Sequence, residues 1–332
     1  MKLAMQPALH LPASTHPDLT FRPVTTADRA ALEAIAAQTW DGNDYLMDVF
    51  EAWIDDPEGM FYAGCLPDGR LAGAAKLTRF GVGEWWLEGI RVDPTLRGQG
   101  IGRAIHAYGL ALAEALHRAS GESAAEVRFC TDIGNAPVHR MAATFEFRQV
   151  AQFWRYSARI QPSPVRAQTF QRCTLEKLSA LRAFLDGSAH YANVQASTIE
   201  ARWQCRRLTD LRLRTLIEQG MVWLWHGLHH DSAQIDGVLI GYVGSPYRQM
   251  PPEFNLTYLD AQPGGLALIA QSARALGATL DVPSLRHMLL ARGEYLVAIE
   301  QAGWRRPRDD SGKACLFSRP LSYPVALTNS EL

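Results

Sequence analysis

Hydrophobic positions change their spacing along this chain, and each change marks an element. Residues 20–24 (TFRPV) have the composition of a short strand. Thr25-Thr26-Ala27-Asp28 carries the signature of a capped helix start, and the apolar positions of ADRAALEAIAAQTW recur at helical spacing. A second amphipathic segment covers about 44–55 (DYLMDVFEAWID). Residues 60–65 (MFYAGC) and 70–79 (RLAGAAKLTR) form a hairpin around Pro67-Asp68-Gly69. A strand at 84–92 then runs into a glycine-rich turn and a long helix, 101–119, with Ile101, Ile105, Tyr108, Leu112 and Leu116 on one face. Residues 126–131 read as a strand, 135–145 as a helix and 150–159 as a closing strand, giving the order β-α-α-β-β-β-α-β-α-β.

The pattern then restarts. QTFQRCTLEKLSALRAFL (168–185) parallels LTFRPVTTADRAALEAIA (19–36), and AGWRRP (302–307) parallels the helix-to-strand junction FEFRQ (145–149). Phe170 aligns with Phe21 and Trp304 with Phe147, separations of 149 and 157 residues. Two anchors at nearly one offset indicate a duplicated domain. Between them lie strand-like MVWLWHGL (221–228), DGVLIGYV (236–243) and FNLTYLD (254–260). A helix-like GGLALIAQSARALG (264–277), a strand-like ATLDVP (278–283) and a helix at about 284–301 follow. The expected plan is a loose arm (1–18), a first domain (19–160), a linker with Pro162 and Pro164 (161–167), a second domain (168–322) and a tail (323–332).

The strongest chemical signal is the turn Val92-Asp93-Pro94-Thr95-Leu96-Arg97-Gly98-Gln99-Gly100-Ile101-Gly102-Arg103. Its glycines leave backbone N–H groups uncovered where a helix N-terminus already favours an anion, so it predicts a phosphate ligand. A dinucleotide fingerprint fails because Arg103 stands where the third glycine belongs. A P-loop fails because the only Gly-Lys pair, Gly312-Lys313, is followed by Ala314. The remaining pattern, Arg97-x-x-Gly100-x-Gly102 after V-D-P, resembles the acyl-CoA pyrophosphate loop of the GNAT superfamily of N-acetyltransferases, and the element order is the one seen in that fold.

The resemblance implies an α/β fold on a mixed sheet, with two tandem GNAT-like domains. The second is degenerate, because AQPGGLALIAQ (261–271) replaces the loop, and is expected to lack CoA. It implies acetyl-CoA as co-substrate, with Ile90, Arg91 and Val92 offering backbone bonds to the pantetheine arm and acetyl carbonyl. Arg97, Gly98, Gln99, Gly100, Ile101, Gly102 and Arg103 would hold the pyrophosphate, and Asn135, opening NAPVHRMAATFEF, would cap a helix beside it. Two departures stand out: Glu146 replaces the family's glycine, and Ala142 stands where the family often has a tyrosine acid. Tyr45 and Tyr108 are the substitutes to consider.

Transfer to an amine also needs a base. Glu84 and Glu88 share one face of a regular strand, and carboxylates beside Trp85, Trp86 and Leu87 are candidates for desolvation. Trp40, Asp41, Asp44 and Tyr45 lie between the first two helices, where family members shape the acceptor pocket. Acids with aromatics suit a cationic amine on an apolar body. These features predict direct transfer of an acetyl group from acetyl-CoA to the amine of a small molecule. The alternative is a non-catalytic acyl-CoA-binding module, for which Ala142 argues. His226-Gly227-Leu228-His229-His230-Asp231 invites a metal reading, but it runs from strand into turn without a helical His-x-x-x-His pair, and no metal is expected.

Composition narrows the partners. A formal net charge of −1 gives no basic field for nucleic acid, and no apolar run approaches the ~20 residues of a membrane span. The N-terminus lacks a signal-peptide core, and five scattered cysteines without C-x-x-C point to reduced thiols in a cytoplasmic protein. Monomer and homodimer both remain open.

Overall fold

In a computed structural model of the chain, residues 12–122, 124–229, 234–245, 251–308 and 311–321 are described. Most of the expected arm (1–18), all of the expected tail (323–332), and His230 and Asp231 lie outside them. The described residues form two compact units, one comprising 12–129, 137–148 and 317–321, the other 130–136 and 149–316.

The first unit opens with β1 (Thr20–Pro23), a single 3-10 turn and α1 (Arg29–Ala36). The turn is fixed by Asp28, which accepts from the Thr25 amide (2.8 Å) and from both terminal nitrogens of Arg22 (2.7 Å each). Arg22 foremost holds the Asp28 carboxyl below its ordinary range. Next come α2 (Leu46–Asp55), β2 (Gly59–Cys65), β3 (Leu71–Gly81), β4 (Glu84–Val92), α3 (Ile101–Ser120), β5 (Ala125–Asp132) and α4 (Ala136–Thr144). Strands β1 to β5 pair in sequence order, all antiparallel except β4 with β5. Leu32, Ile35, Leu46, Phe50 and Trp53 from α1 and α2 pack on Phe61 and Ala63 of β2. Their helical spacing is what the sequence pattern displays.

The second unit contains β6 (Arg148–Arg159), α5 (Pro164–Ala167), β7 (Phe170–Arg172), α6 (Leu178–Asp186), α7 (Ala189–Asn193), β8 (Ser197–Ile199), β9 (Cys205–Arg207), α8 (Asp210–Glu218) and β10 (Val222–Trp225). It continues with β11 (Gly237–Gly244), β12 (Glu253–Ala261), α9 (Leu266–Thr279), β13 (Ser284–Leu290), α10 (Gly293–Gln301) and β14 (Lys313–Leu321). Its sheet runs β6-β13-β12-β11-β10-β7, with β12 and β13 the parallel pair; β8 and β9 form a separate ribbon. Residues 313–316 of β14 belong to this unit. Residues 317–321 belong to the first, beyond β5, where Ser318 Oγ donates to Glu126 (2.8 Å) and Phe317 stacks on Phe129.

The duplication survives in backbone detail. The Phe147 amide donates to Ala142 and the Glu146 amide to Ala143; Trp304 and Gly303 repeat both bonds to Ile299 and Glu300. Gly303 takes φ +85° at this helix end, and Glu146 is held at φ +60° in the place of the family's glycine. One expectation fails. Residues 278–283 are not a strand, and the helix expected at 284–301 begins at Gly293; β13 occupies Ser284–Leu290. Leu285, Met288 and Leu289 have helix-like spacing, but a short apolar run buried on both faces gives the same pattern, and Pro283 sets its start.

Buried imidazoles couple this fold to pH. His106 is sealed among Phe129, Phe145 and Phe147, and burial, helped by the charge of Arg319, pushes its pKa from 6.5 down to about 4. Burial first, then Arg292, takes His190 to about 3. Burial also takes His287 to about 3, partly offset by the Leu256 carbonyl. The native state therefore favours neutral imidazole. That stabilisation is full above pH 6.5 and is lost as pH falls through the window toward 4 and 3. Urea unfolding at pH 5 should show a loss of about 2 kcal/mol traceable to His106 alone, and His106→Leu should lose correspondingly less between pH 7.5 and 5.

Candidate functional site

The site begins where β4 and β5 part. Their parallel register covers only Glu84–Trp86 against Glu126–Arg128. From Leu87 to Val92 the β5-facing edge of β4 lies outside that register, leaving backbone groups to be satisfied by something other than a neighbouring strand. At the last paired positions Arg128 of β5 grips the Glu84 carboxylate, with Arg128 1% and Glu84 5% exposed. Glu84 is thus locked in a buried ion pair at the root of the gap.

Farther along, the β3–β4 register slips, so that Ala75 faces both Gly89 and Ile90. Gly89 makes this bulge, with φ +69°, and a Cβ there would lie 2.3 Å from Trp53 Cη2. Glu88, half-buried, sits just before the bulge directly opposite Lys76. Lys76 is fully buried, hydrogen-bonds Asp56 and Thr78 Oγ1 (3.1 Å), and feels the charge of Glu88. Burial lowers its pKa, and Asp56 and Glu88 oppose that shift.

Arg91 turns away from the loop. Its guanidinium forks onto the buried carboxylate of Asp44, with Nη2 to Oδ1 at 2.8 Å, beneath Trp40 (4.4 Å) and Tyr45 (5.3 Å). Burial works against the Arg91 charge, but the bonds it donates to Asp44 leave its pKa raised. Three expected acceptor residues thus gather on an expected CoA residue, and the Asp44 charge is already neutralised by Arg91. Trp40 is 57% exposed and held at φ +49°. Asp41 lies in the same 3-10 turn, its side chain outside what the structure describes.

Beyond Val92, the Asp93 carboxylate caps a short turn by accepting from the Thr95 amide (2.9 Å), and Leu96 anchors it. Gly98 and Gly100 take φ +79° and +81°, and α3 starts at Ile101 with Gly100 as its N-cap. A Cβ at Gly98 would meet nothing within 4 Å. These glycines are needed for their left-handed backbone, and the ground above them is open, which fits a phosphate cradle. Arg97, Gln99 and Arg103 are exposed at its rim. His16 faces the loop, its Nε2 3.3 Å from the Gln99 carbonyl.

Asn135, counted with the second unit, donates from its amide to Thr131 Oγ1 (3.0 Å) at the start of α4. Ala142 is fully buried. Tyr108 is sealed in the core, stacked on Phe21 at 4.1 Å, and burial pushes its pKa to about 12. His226 Nδ1 contacts the Gln234 carbonyl and His229 pairs with Asp236 (2.6 Å), so both serve a turn. Sequence reasoning missed Lys76 and His16, which carried no signal, and the Gly89 bulge, which an isolated glycine within a strand pattern does signal.

In the second unit β12 and β13 pair only over Phe254–Leu256 and Leu285–His287. A cavity of about 810 Å³ opens beyond, lined by Ser188, His190, Asp260, Leu266 and Tyr295 among others. Asp260 accepts from Ser188, Tyr258 (2.8 Å) and the Ala261 amide (2.8 Å), and burial raises its pKa.

A parallel pair that separates beside a glycine-rich helix start is the arrangement set against known proteins. Residues 29–147 match the model of the acetyltransferase (GNAT) family. The structure is similar to a GCN5-related N-acetyltransferase from Sphaerobacter thermophilus (TM-score 0.60, 16% identity, covering 93% of this chain and 97% of that one). It is similar to the glucosamine N-acetyltransferase region of a fungal multi-domain β-N-acetylglucosaminidase (0.62, 11%, 93% and 39%). It also resembles a tandem GNAT protein of the clavulanic acid biosynthesis pathway (0.51, 15%, 92% and 99%). At these identities the likeness is one of fold. None of the curated proteins compared matches the chain. No helix among the described residues is long and apolar enough to cross a membrane.

The Arg91–Asp44 pair should be the most fragile link in the site. Asp44→Asn leaves a buried guanidinium without its counter-charge and should destabilise the protein by about 3–5 kcal/mol in urea unfolding. Asp44→Leu combined with Arg91→Met should recover most of that.

Proposed function

We propose that this protein uses acetyl-CoA to acetylate the amine of a small molecule by direct transfer, with one CoA per chain, in keeping with the acetyltransferase family model matched by residues 29–147. The observation that carries this reading is the open loop 97–103, with two left-handed glycines at the start of a twenty-residue helix. Backbone amides of Gly98 to Gly102, with Arg97 and Arg103, would hold the pyrophosphate. The vacant edge of β4 at Ile90 and Val92 would align the thioester arm. Acetyl-CoA brings an activated carbonyl; the chain's part is to hold it and to deprotonate the amine.

The base in this reading is Glu88. It stands at the bulge beside the vacant edge, whereas Glu84 is engaged by Arg128. Lys76 stands opposite the Glu88 carboxylate, its amine lowered in pKa by burial and supported in its charged form by Asp56 and Glu88. Trp40 and Tyr45 offer aromatic surface to an apolar acceptor body. Since Asp44 is consumed by Arg91, the acceptor's amine is recognised by Glu88 rather than by the loop acid. The Ala142 methyl has no proton to give and the Tyr108 hydroxyl is sealed in the core, so neither residue supplies a proton to the leaving thiolate. The second unit lacks the Arg-x-x-Gly-x-Gly loop and supports the acceptor side or the fold.

Free-thiol release from acetyl-CoA across a panel of small amines tests the activity; a panel without turnover, with CoA still bound, leaves the non-catalytic alternative. Calorimetry should give one CoA per chain. Arg97→Ala should weaken that binding by about 1.5–3 kcal/mol, and Gly100→Val by more, because a β-branched residue resists positive φ. Glu88→Gln should lower kcat/KM by roughly 10²–10⁴ near neutral pH with CoA affinity kept. Full activity in that variant would falsify the assignment of the base.

A further inference from the structure

We propose that Cys130 and Cys205 form a dithiol site, oxidised by a hydroperoxide to an intramolecular disulfide. Both belong to the second unit, in β5 and β9, and their sulfurs lie 3.7 Å apart although 75 residues separate them in sequence. A disulfide needs about 2.0 Å, so a side-chain rotation with a small backbone shift closes the gap. Both are reduced in this structure. The remaining cysteines are built to be inert: Cys65, Cys173 and Cys315 are buried, and burial raises each thiol, Cys173 to about 11.

The two sulfurs differ in access, which orders the chemistry. Cys130 is half-buried and meets the oxidant; Cys205 is fully buried and resolves. The Cys130 thiolate attacks one oxygen, the O–O bond breaks, and Cys130 becomes a sulfenic acid as hydroxide or alkoxide leaves. The Cys205 sulfur then attacks Cys130, the S–O bond breaks, and the departing hydroxide takes the Cys205 proton to become water. Two thiols lose two electrons and two protons; hydrogen peroxide becomes two waters.

The surroundings suit such a pair. Cys205 follows Arg202 and Trp203, both held at positive φ (57° and 62°), and its thiol points at the Trp203 carbonyl (3.8 Å). Residues in that region of backbone store strain that a small local shift can release. Cys130 precedes Thr131, the partner of Asn135. Bridging would therefore fasten the segment that bears Asn135 to the β8–β9 ribbon.

The test uses the reduced full-length protein, a limited dose of hydrogen peroxide and alkylation after denaturation. Titratable thiols should fall from five to three, return to five with dithiothreitol, and peptide mapping should find Cys130 joined to Cys205. Cys205→Ser should leave Cys130 oxidised but unbridged. Should that variant not fold, the wild-type peptide map alone decides. Three results overturn the proposal: five thiols surviving a dose that consumes free cysteine, a bridge between two chains, or Cys130 taken to sulfinic acid while Cys205 remains a thiol.

Discussion

The parting of β4 from β5 is the constraint on which the first unit's chemistry rests. A parallel pair normally satisfies both neighbouring backbone edges along its length; here the pairing stops after three residues. Left open, the rest of β4 needs a partner with its own amides and carbonyls, and a pantetheine arm has both. The Glu84–Arg128 pair sits at the point of separation, where two buried charges tolerate each other only in a fixed geometry. Its bearing on the site is mechanical: it holds the root of the gap.

The second unit repeats this framework with different chemistry. Glu253 and Arg286 make the corresponding ion pair (2.8 Å) across β12 and β13. The strand-end ties are reversed in polarity: β4 anchors its neighbouring loop with a buried arginine onto Asp44, β12 with a buried aspartate onto Ser188. The architecture of the gap was kept in both copies, while only the first has the glycine turn with its two left-handed residues at a helix start. The second carries a cleft of mixed polar and apolar lining that includes the carboxylate of Asp260, whose pKa burial raises.

What the sequence discloses follows from range. The loop was legible because its glycines encode backbone angles locally, and the strand and helix flanking it carry strong periods. The two Glu candidates looked equivalent because strand alternation places both on one face; what separates them is Arg128, 44 residues from Glu84 and invisible to any local pattern. Arg91 and Asp44 were assigned to different ligands for the same reason, being 47 residues apart. The stretch 278–290 was misread because Leu285, Met288 and Leu289 satisfy helical and buried-strand spacing equally.

The end of β14 has a consequence for biosynthesis. The first unit includes residues 317–321, where Phe317 stacks on Phe129 and Arg319 faces Glu114 (3.4 Å). On a ribosome adding about 5–20 residues per second, a nascent first unit waits on the order of ten seconds or more, after residue 148 is made, for its last strand. Throughout that interval β5 exposes an unpaired edge, the kind of surface on which chains mispair. A chain cut short before residue 317 would lack the piece that closes a domain begun some three hundred residues earlier.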